Sequence, residues 1–439
     1  MGFFYNLLWV LVLIGVMILV HELGHFWAAR YFDVKVDAFS FGFGPRLFGF
    51  RRGETDYRVS AIPFGGYVKM AGEQAHDTEA ADDPRGFMRK PRWQRLIIAF
   101  AGPFMNMVLS VALLAGLFMV QYQKVVEEGG AVIGHITPGS PADKAGFREG
   151  DRIIQIEGEK NPSWEDIHTR EMTSAARSLD VTIERNGTAL NKQVIPILDK
   201  EDQIGLAGWE ERSQILVGGL ASGKPGEAAG LKSGDLLLSI NGEAIRSPFK
   251  LQDTIRGTEG RPVVLVIRRG NEQKTITAKP VYSTADKHYI IGIEMSRKLD
   301  IVDMQLGPIA ALRESLQENA RSAVLIYLSL KGIVERRLSP KALQGPIGMA
   351  RISGEAARLG APVFIKLMAA VSVNLAIFNL LPIPILDGGV ILMLLIEMLM
   401  GRDLSAAVKE GVLKAGFVFL MAVVVFVLYN DISKILPQG

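Results

Sequence analysis

Apolar residues in this chain collect in four long stretches, two near the start and two near the end, and leave a polar, Gly-punctuated middle. A bilayer core about 30 Å thick needs about 20 mostly apolar helical residues. Four segments meet that length: Phe3 to about Phe32 (uncharged as far as Val20), Leu96 to about Gln121, Pro362 past Asp387 toward Leu399, and about Val412 to Leu428. Ala323 to Val334 is short for a span and reads as an interfacial helix. The first stretch lacks a positive n-region and a small-residue cleavage site, so it reads as a retained span. The expected fold is a polytopic α-helical membrane protein with four transmembrane helices and a soluble insert between the second and third.

The 439 residues allow two or three domains, and the net charge of +3 gives no support for nucleic-acid binding. Cysteine is absent, which excludes disulfides, a thiol nucleophile and thiolate-bound zinc. Met1 to Val20 carries no Lys or Arg, whereas residues 30–95 are rich in both. The positive-inside rule places the start of the chain outside, 30–95 in the cytoplasm, 122–360 outside and the C-terminus outside. Spans one and three then run in the same direction.

The insert repeats itself. Pro141–Asp151 (PADKAGFREGD) returns as Pro225–Asp235 (PGEAAGLKSGD), each followed by an apolar strand and a Gly-containing turn. Two copies are too few for a solenoid and fit tandem small domains. The pattern resembles bacterial PDZ domains, over roughly 125–212 and 213–297. Such modules bind extended peptides by strand addition. Tyr289–Ile293 resembles a PDZ ligand loop.

The sharpest motif is His21–Glu22–Leu23–Gly24–His25. Residues four apart share a helix face, so both imidazoles can reach one zinc ion, with Glu22 beside them to take a proton from water. Two histidines and a glutamate at membrane depth are costly and mark function. A catalytic zinc needs a third protein ligand and one open position. Asp387, in NLLPIPILDGG (379–389), is the only acid between Leu367 and Ile396, beside prolines and glycines that interrupt a helix. At 1.5 Å per residue, His21 lies about 27 Å from the outer end of its span, and Asp387 reaches a similar depth. His135, His168 and His288 are scattered singly and are expected at the surface.

On HELGH, four spans, two PDZ-like inserts and NLLPIPILDGG, essentially the whole chain resembles the site-2 protease family of intramembrane zinc proteases. The resemblance implies that His21, His25 and Asp387 bind one Zn2+ per chain, that Glu22 is the catalytic base and that Asn379 helps position substrate. It also implies that Phe41–Pro45 and Ile62–Met70 form a membrane-re-entrant β-hairpin that pairs with unwound substrate, making Gly42, Gly44, Gly65, Gly66 and Tyr67 candidate substrate contacts. The family's location is the bacterial inner membrane. Its substrates are single-pass membrane proteins, anti-sigma factors and remnant signal peptides, with the PDZ pair acting as a size filter. Where members often carry His after LDGG, this chain has Val390. The implied domains are 1–32 (first span), 33–95 (hairpin region), 96–121 (second span), 125–212 and 213–297 (PDZ-like), 298–360 (amphipathic interfacial helices), 361–400 (third span) and 411–430 (fourth span). A membrane-anchored zinc protease that cuts exposed loops and an inactive PDZ scaffold are the alternatives.

Overall fold

The computed structural model describes residues 2–73, 83–125, 130–199, 204–284, 288–298, 301–336, 338 and 345–435. The chain forms two compact units: 1–122 with 304–327 and 343–439, and 123–303 with 328–342.

The first unit opens with α1 (Gly2–Tyr31), a 30-residue helix apolar on all faces down to His21. A two-stranded antiparallel hairpin follows, β1 (Val36–Arg52) with β2 (Thr55–Met70), bent by a series of register shifts. Two of its glycines are required by backbone shape. Gly42 has φ +93° and Gly65 φ +149°, and a Cβ at Gly65 would lie 1.9 Å from the Phe43 ring. The chain then enters α2 (Arg92–Val120), with Pro103 inside it. Arg95 is almost fully buried at the base of α2, 3.1 Å from Asp403 Oδ1.

The second unit is the insert, in two lobes. Each lobe has a short helix, α3 (Pro141–Lys144) in the first. Its longer helix is α4 (Trp164–Met172), closed at its start by a Ser163–Asp166 capping box. In the second lobe the corresponding helices are α5 (Pro225–Ala228) and α6 (Pro248–Gly257). The main sheet of the second lobe runs in the order Glu272–Ala278, Val263–Arg269, Leu236–Ile240, Gln214–Leu220, Ile293–Lys298. The first lobe has the sheet Glu159–Lys160, Arg152–Ile156, Leu179–Arg185, Thr188–Val194, with Trp209–Glu211 pairing separately to Ile133–Ile136. The repeat in sequence is a repeat in contacts. Ile133 N donates to Asp151 O at 2.8 Å, and Val217 N to Asp235 O at 2.9 Å. Each lobe closes its own apolar core, around Ile153, Ile183 and Trp209 in one and Leu237, Leu265 and Ile267 in the other.

The chain continues through α7 (Pro308–Val334), α8 (Pro346–Leu359), α9 (Ala361–Asn379), α10 (Asp387–Met400) and α11 (Ala406–Ile435). The 12 apolar residues expected as a short interfacial helix are the end of the 27-residue α7. Its first half carries Arg313, Glu314, Glu318 and Arg321, which an apolar search passes over. Among the described residues, four helices are long and apolar enough to cross a membrane: Gly2–Tyr31, Arg92–Val120, Ala361–Asn379 and Ala406–Ser433. The third apolar stretch is two helices, because residues 380–386, with Pro382 and Pro384, break the ladder between α9 and α10. Asp431 near the end of α11 accepts hydrogen bonds from the amides of Gly345, Ile347 and Gly348 at 3.0–3.2 Å, so a carboxylate caps the start of α8.

Candidate metal centre

His21 and His25 lie one turn apart on α1, with Nε2 atoms 3.2 Å from each other. Asp387 is the first residue of α10 and turns its carboxylate to both: Oδ2 is 3.1 Å from His21 Nε2, and Oδ1 is 3.5 Å from His25 Nε2. All three donor atoms fall within 4.8 Å of one another, and among the described residues this is the one such group of three. It brings together two residues 4 apart and a third more than 360 positions later.

Local sequence explains the convergence. Gly388 and Gly389 let the first turn of α10 lie against the preceding loop: added Cβ atoms would be 2.2 Å from Leu381 O and 2.4 Å from Ile383 O. A Cβ on Gly24 would meet Ala101 O at 2.3 Å, so α1 and α2 pack backbone to backbone. At Gly102 a Cβ would sit 2.3 Å from His25 Nε2, so only glycine leaves room for the imidazoles. His25 Nδ1 donates to the Ile98 carbonyl oxygen at 2.8 Å. A carbonyl can only accept, so Nδ1 holds the proton and Nε2 keeps a lone pair facing the cluster. Asn106, fully buried on α2, has its amide 3.3 Å from His21 Nδ1. Sequence reasoning missed Gly102, Asn106 and the Ile98 carbonyl. Asn106 gave one readable signal, an amide inside an apolar span, whereas a backbone acceptor leaves none.

The donor chemistry fits zinc: two imidazole nitrogens, one carboxylate and a backbone acceptor that fixes a ring tautomer. Glu22 neighbours His21 on α1 and lies in the field of His21, His25 and Asp387. A Cβ on Gly66 would stand 3.0 Å from Glu22 Cγ and 2.9 Å from Ser40 O, so β2 passes flush against the glutamate. Tyr67 stacks on Phe43, centroids 6.2 Å apart, and the Arg58 guanidinium lies over the Tyr67 ring at 5.6 Å from its centroid. Gly42, Gly65, Gly66 and Tyr67 thus lie at the part of the hairpin paired across Phe41–Gly66 and Ser40–Tyr67. Gly44 lies farther out, with no atom nearer than 3.8 Å to an added Cβ. Asn379 ends α9, eight positions before Asp387 opens α10. An apolar groove of about 590 Å3 runs between α1 (Leu11, Val12, Gly15) and the hairpin (Phe39, Phe41, Tyr57).

One histidine of the insert departs from expectation. His135 is 3 % exposed, with Nδ1 3.0 Å from Glu149 and Nε2 3.2 Å from Asp253, so it joins the two lobes rather than facing water. Both acids are distant in sequence, which is why its burial was not legible. His168 pairs with Glu171 at 3.2 Å. That same Glu171 carboxylate accepts from the Ala207 amide at 2.5 Å and from Trp209 Nε1 at 3.1 Å.

A helical His-Glu-x-x-His pair completed by a carboxylate from a second apolar helix defines a membrane-embedded metallopeptidase of the site-2 type. The family model "Peptidase family M50" matches residues 9–423, and the chain belongs to that family. Relatives align over almost their whole length. A Xylella fastidiosa protein described by name as a zinc metalloprotease is 33% identical, over 98% of this chain and 99% of its own. Protease RseP of Yersinia pestis is 30% identical, over 99% of this chain and 100% of its own. The regulator of sigma-E protease RseP of Escherichia coli is 29% identical, with the same shares. Among solved structures, a PDZ domain of a Listeria monocytogenes protein matches 20% of this chain and 90% of its own, at 23% identity and a TM-score of 0.18.

Proposed function

We propose that this chain hydrolyses peptide bonds inside the membrane-spanning segments of single-pass proteins, with one zinc ion held by His21, His25 and Asp387. The observation that carries the reading is the meeting of these three side chains, from the apolar helices α1 and α10, beside Glu22. Zinc, when bound, polarises a carbonyl and acidifies a water molecule, which gives hydrolysis at neutral pH. Glu22 takes the water's proton and returns it to the leaving amine. Asn379, at the break before α10, holds the substrate backbone.

A substrate helix hides its amides in its own hydrogen bonds and must unwind before attack; its freed backbone then needs partners that lipid does not provide. The hairpin supplies them as a re-entrant edge strand, with Gly42, Gly44, Gly65 and Gly66 allowing close approach and Tyr67 packing the side chains. The apolar groove beside α1 receives the flanking residues. The Lys/Arg bias of 30–95 supports a cytoplasmic position for the hairpin, with the termini and the insert periplasmic in a bacterial inner membrane. Anti-sigma factors and remnant signal peptides fit the substrate requirement, and the two lobes act as a PDZ pair that excludes bulky outer domains.

Metal analysis of the detergent-purified chain tests the centre. Wild type is expected to hold one zinc per chain and Asp387→Asn much less. Full occupancy in the variant would remove Asp387 from the ligands.

A further inference from the structure

His25 shows what a ligand-ready imidazole needs in this site. Its Nδ1–H is taken by the Ile98 carbonyl at 2.8 Å, which leaves Nε2 free to bind. The corresponding position beside His21 holds the side-chain amide of Asn106, 3.3 Å from Nδ1. An amide nitrogen turned to the ring would donate to Nδ1 and drive the ring proton to Nε2. That atom faces Asp387 at 3.1 Å, and protonation there would remove its lone pair. The same orientation leaves Asn106 Oδ1 buried with no partner. A half-turn of the amide keeps its shape and sets Oδ1 against Nδ1–H.

We propose that Asn106 is the positioning residue of His21: its amide oxygen accepts the Nδ1 proton and fixes the ring with Nε2 unprotonated toward the metal. The residue is well placed for this. It is fully buried, and its backbone carbonyl accepts from Ser372 Oγ of α9 at 2.8 Å. One turn earlier, Gly102 gives the rings their space, and one turn later Ser110 Oγ donates to Ala369 O at 2.8 Å. α2 is therefore clamped to α9 at Asn106 and one turn beyond it. The two histidines would be oriented by one helix through different acceptors: a main-chain carbonyl for His25, a side-chain carbonyl for His21. The inference rests on the zinc site proposed above.

The test is competition between full-length protein in detergent and a chromophoric zinc chelator, for wild type, Asn106→Leu and Asn106→Asp. Leu keeps the approximate volume and removes the acceptor; Asp keeps an acceptor in the same place. Loss of an outer-shell partner typically weakens metal binding about 10- to 100-fold, so Asn106→Leu is expected to fall by that factor. Asn106→Asp is expected to bind at least as tightly as wild type, a rescue that a role for the amide N–H as donor would not give, because a carboxylate only accepts. Unchanged zinc affinity in Asn106→Leu overturns the proposal, and so does equal weakening in both variants. Asn106→Asp alone decides the matter if the Leu variant does not fold, since a tenfold loss there would contradict an acceptor role. Wild type without zinc would instead remove the metal site itself.

Discussion

In the unit formed by the insert, Asp151 and Asp235 have side chains 1% exposed, and each holds an arginine 34 residues later through two hydrogen bonds of 2.6–2.7 Å. In the membrane unit, His21, His25 and Asp387 are also largely shielded, yet no Lys or Arg pairs with them among the described residues; their donor atoms point at one another. The first arrangement occurs twice, in two lobes with different sequences, and each arginine also donates to the carbonyl of Gly146 or Gly230. A buried charge satisfied by its own partner, and copied with the fold, belongs to the fold. A buried cluster whose lone pairs converge belongs to chemistry, because nothing in the chain alone completes it. The lobes also differ internally. Glu171 fills the loop around Ala207 in the first, whereas α6 of the second turns the apolar Leu251 and Ile255 inward.

If this contrast is sound, substitutions in the two places separate activity from stability. The largest effect is expected for Glu22→Gln, a loss of about 100- to 10,000-fold in cleavage rate, with zinc content and melting temperature unchanged. Next comes Asp235→Ala, which frees the Lys232 amide and the Arg269 guanidinium. It should destabilise the second lobe by about 2 kcal/mol, read as faster hydrogen exchange over residues 213–298 of the full chain. Its cleavage of a substrate with a short outer tail should stay close to wild type; a loss like that of Glu22→Gln would break the comparison.

Acid and base should each loosen one particular contact of the insert. Burial pushes the Asp235 carboxyl up, but Arg269 and the Lys232 amide outweigh it and hold it below the ordinary carboxylate value. Its stabilisation is complete above about pH 4 and is lost as pH falls through the lower folded value. Burial alone would lower His168, yet its hydrogen bond to Glu171 holds it above the ordinary imidazole value. That contribution is complete below about pH 6.5 and is lost as pH rises through the raised folded value. Exchange protection, corrected for intrinsic rates, should therefore weaken around Asp235 in acid and around His168 on the alkaline side of neutral. Arg269→Gln should remove the acid effect. The smallest change is expected for Lys250→Gln, which breaks an exposed pair with Glu243 and should leave the melting curve in place.

Much of the site was legible because its residues violate their surroundings. Two histidines, a glutamate and an aspartate in apolar runs are conspicuous, and the fourfold spacing of His21 and His25 fixes a common face. The glycines and prolines around Asp387 announced the helix break for the same reason. What escaped lies where sequence carries no distinctive chemistry. The Ile98 carbonyl is backbone, Gly102 matters through the atoms it lacks, and Asn106 was passed over in a search for acids. His135 was misplaced because its partners, Glu149 and Asp253, come from different lobes. The length of α7 was missed because half of it is polar, and apolar length alone cannot find an amphipathic helix.

The central claim, that the His21–His25–Asp387 cluster serves peptide cleavage inside the membrane, is tested most directly with a single-pass substrate in liposomes. Wild type and Glu22→Gln would be compared with and without a zinc chelator, and the product termini mapped by mass spectrometry. Cleavage within the apolar span that disappears in Glu22→Gln and in chelator is the predicted result. A cut confined to residues outside the span, or equal cleavage by both proteins, would contradict it.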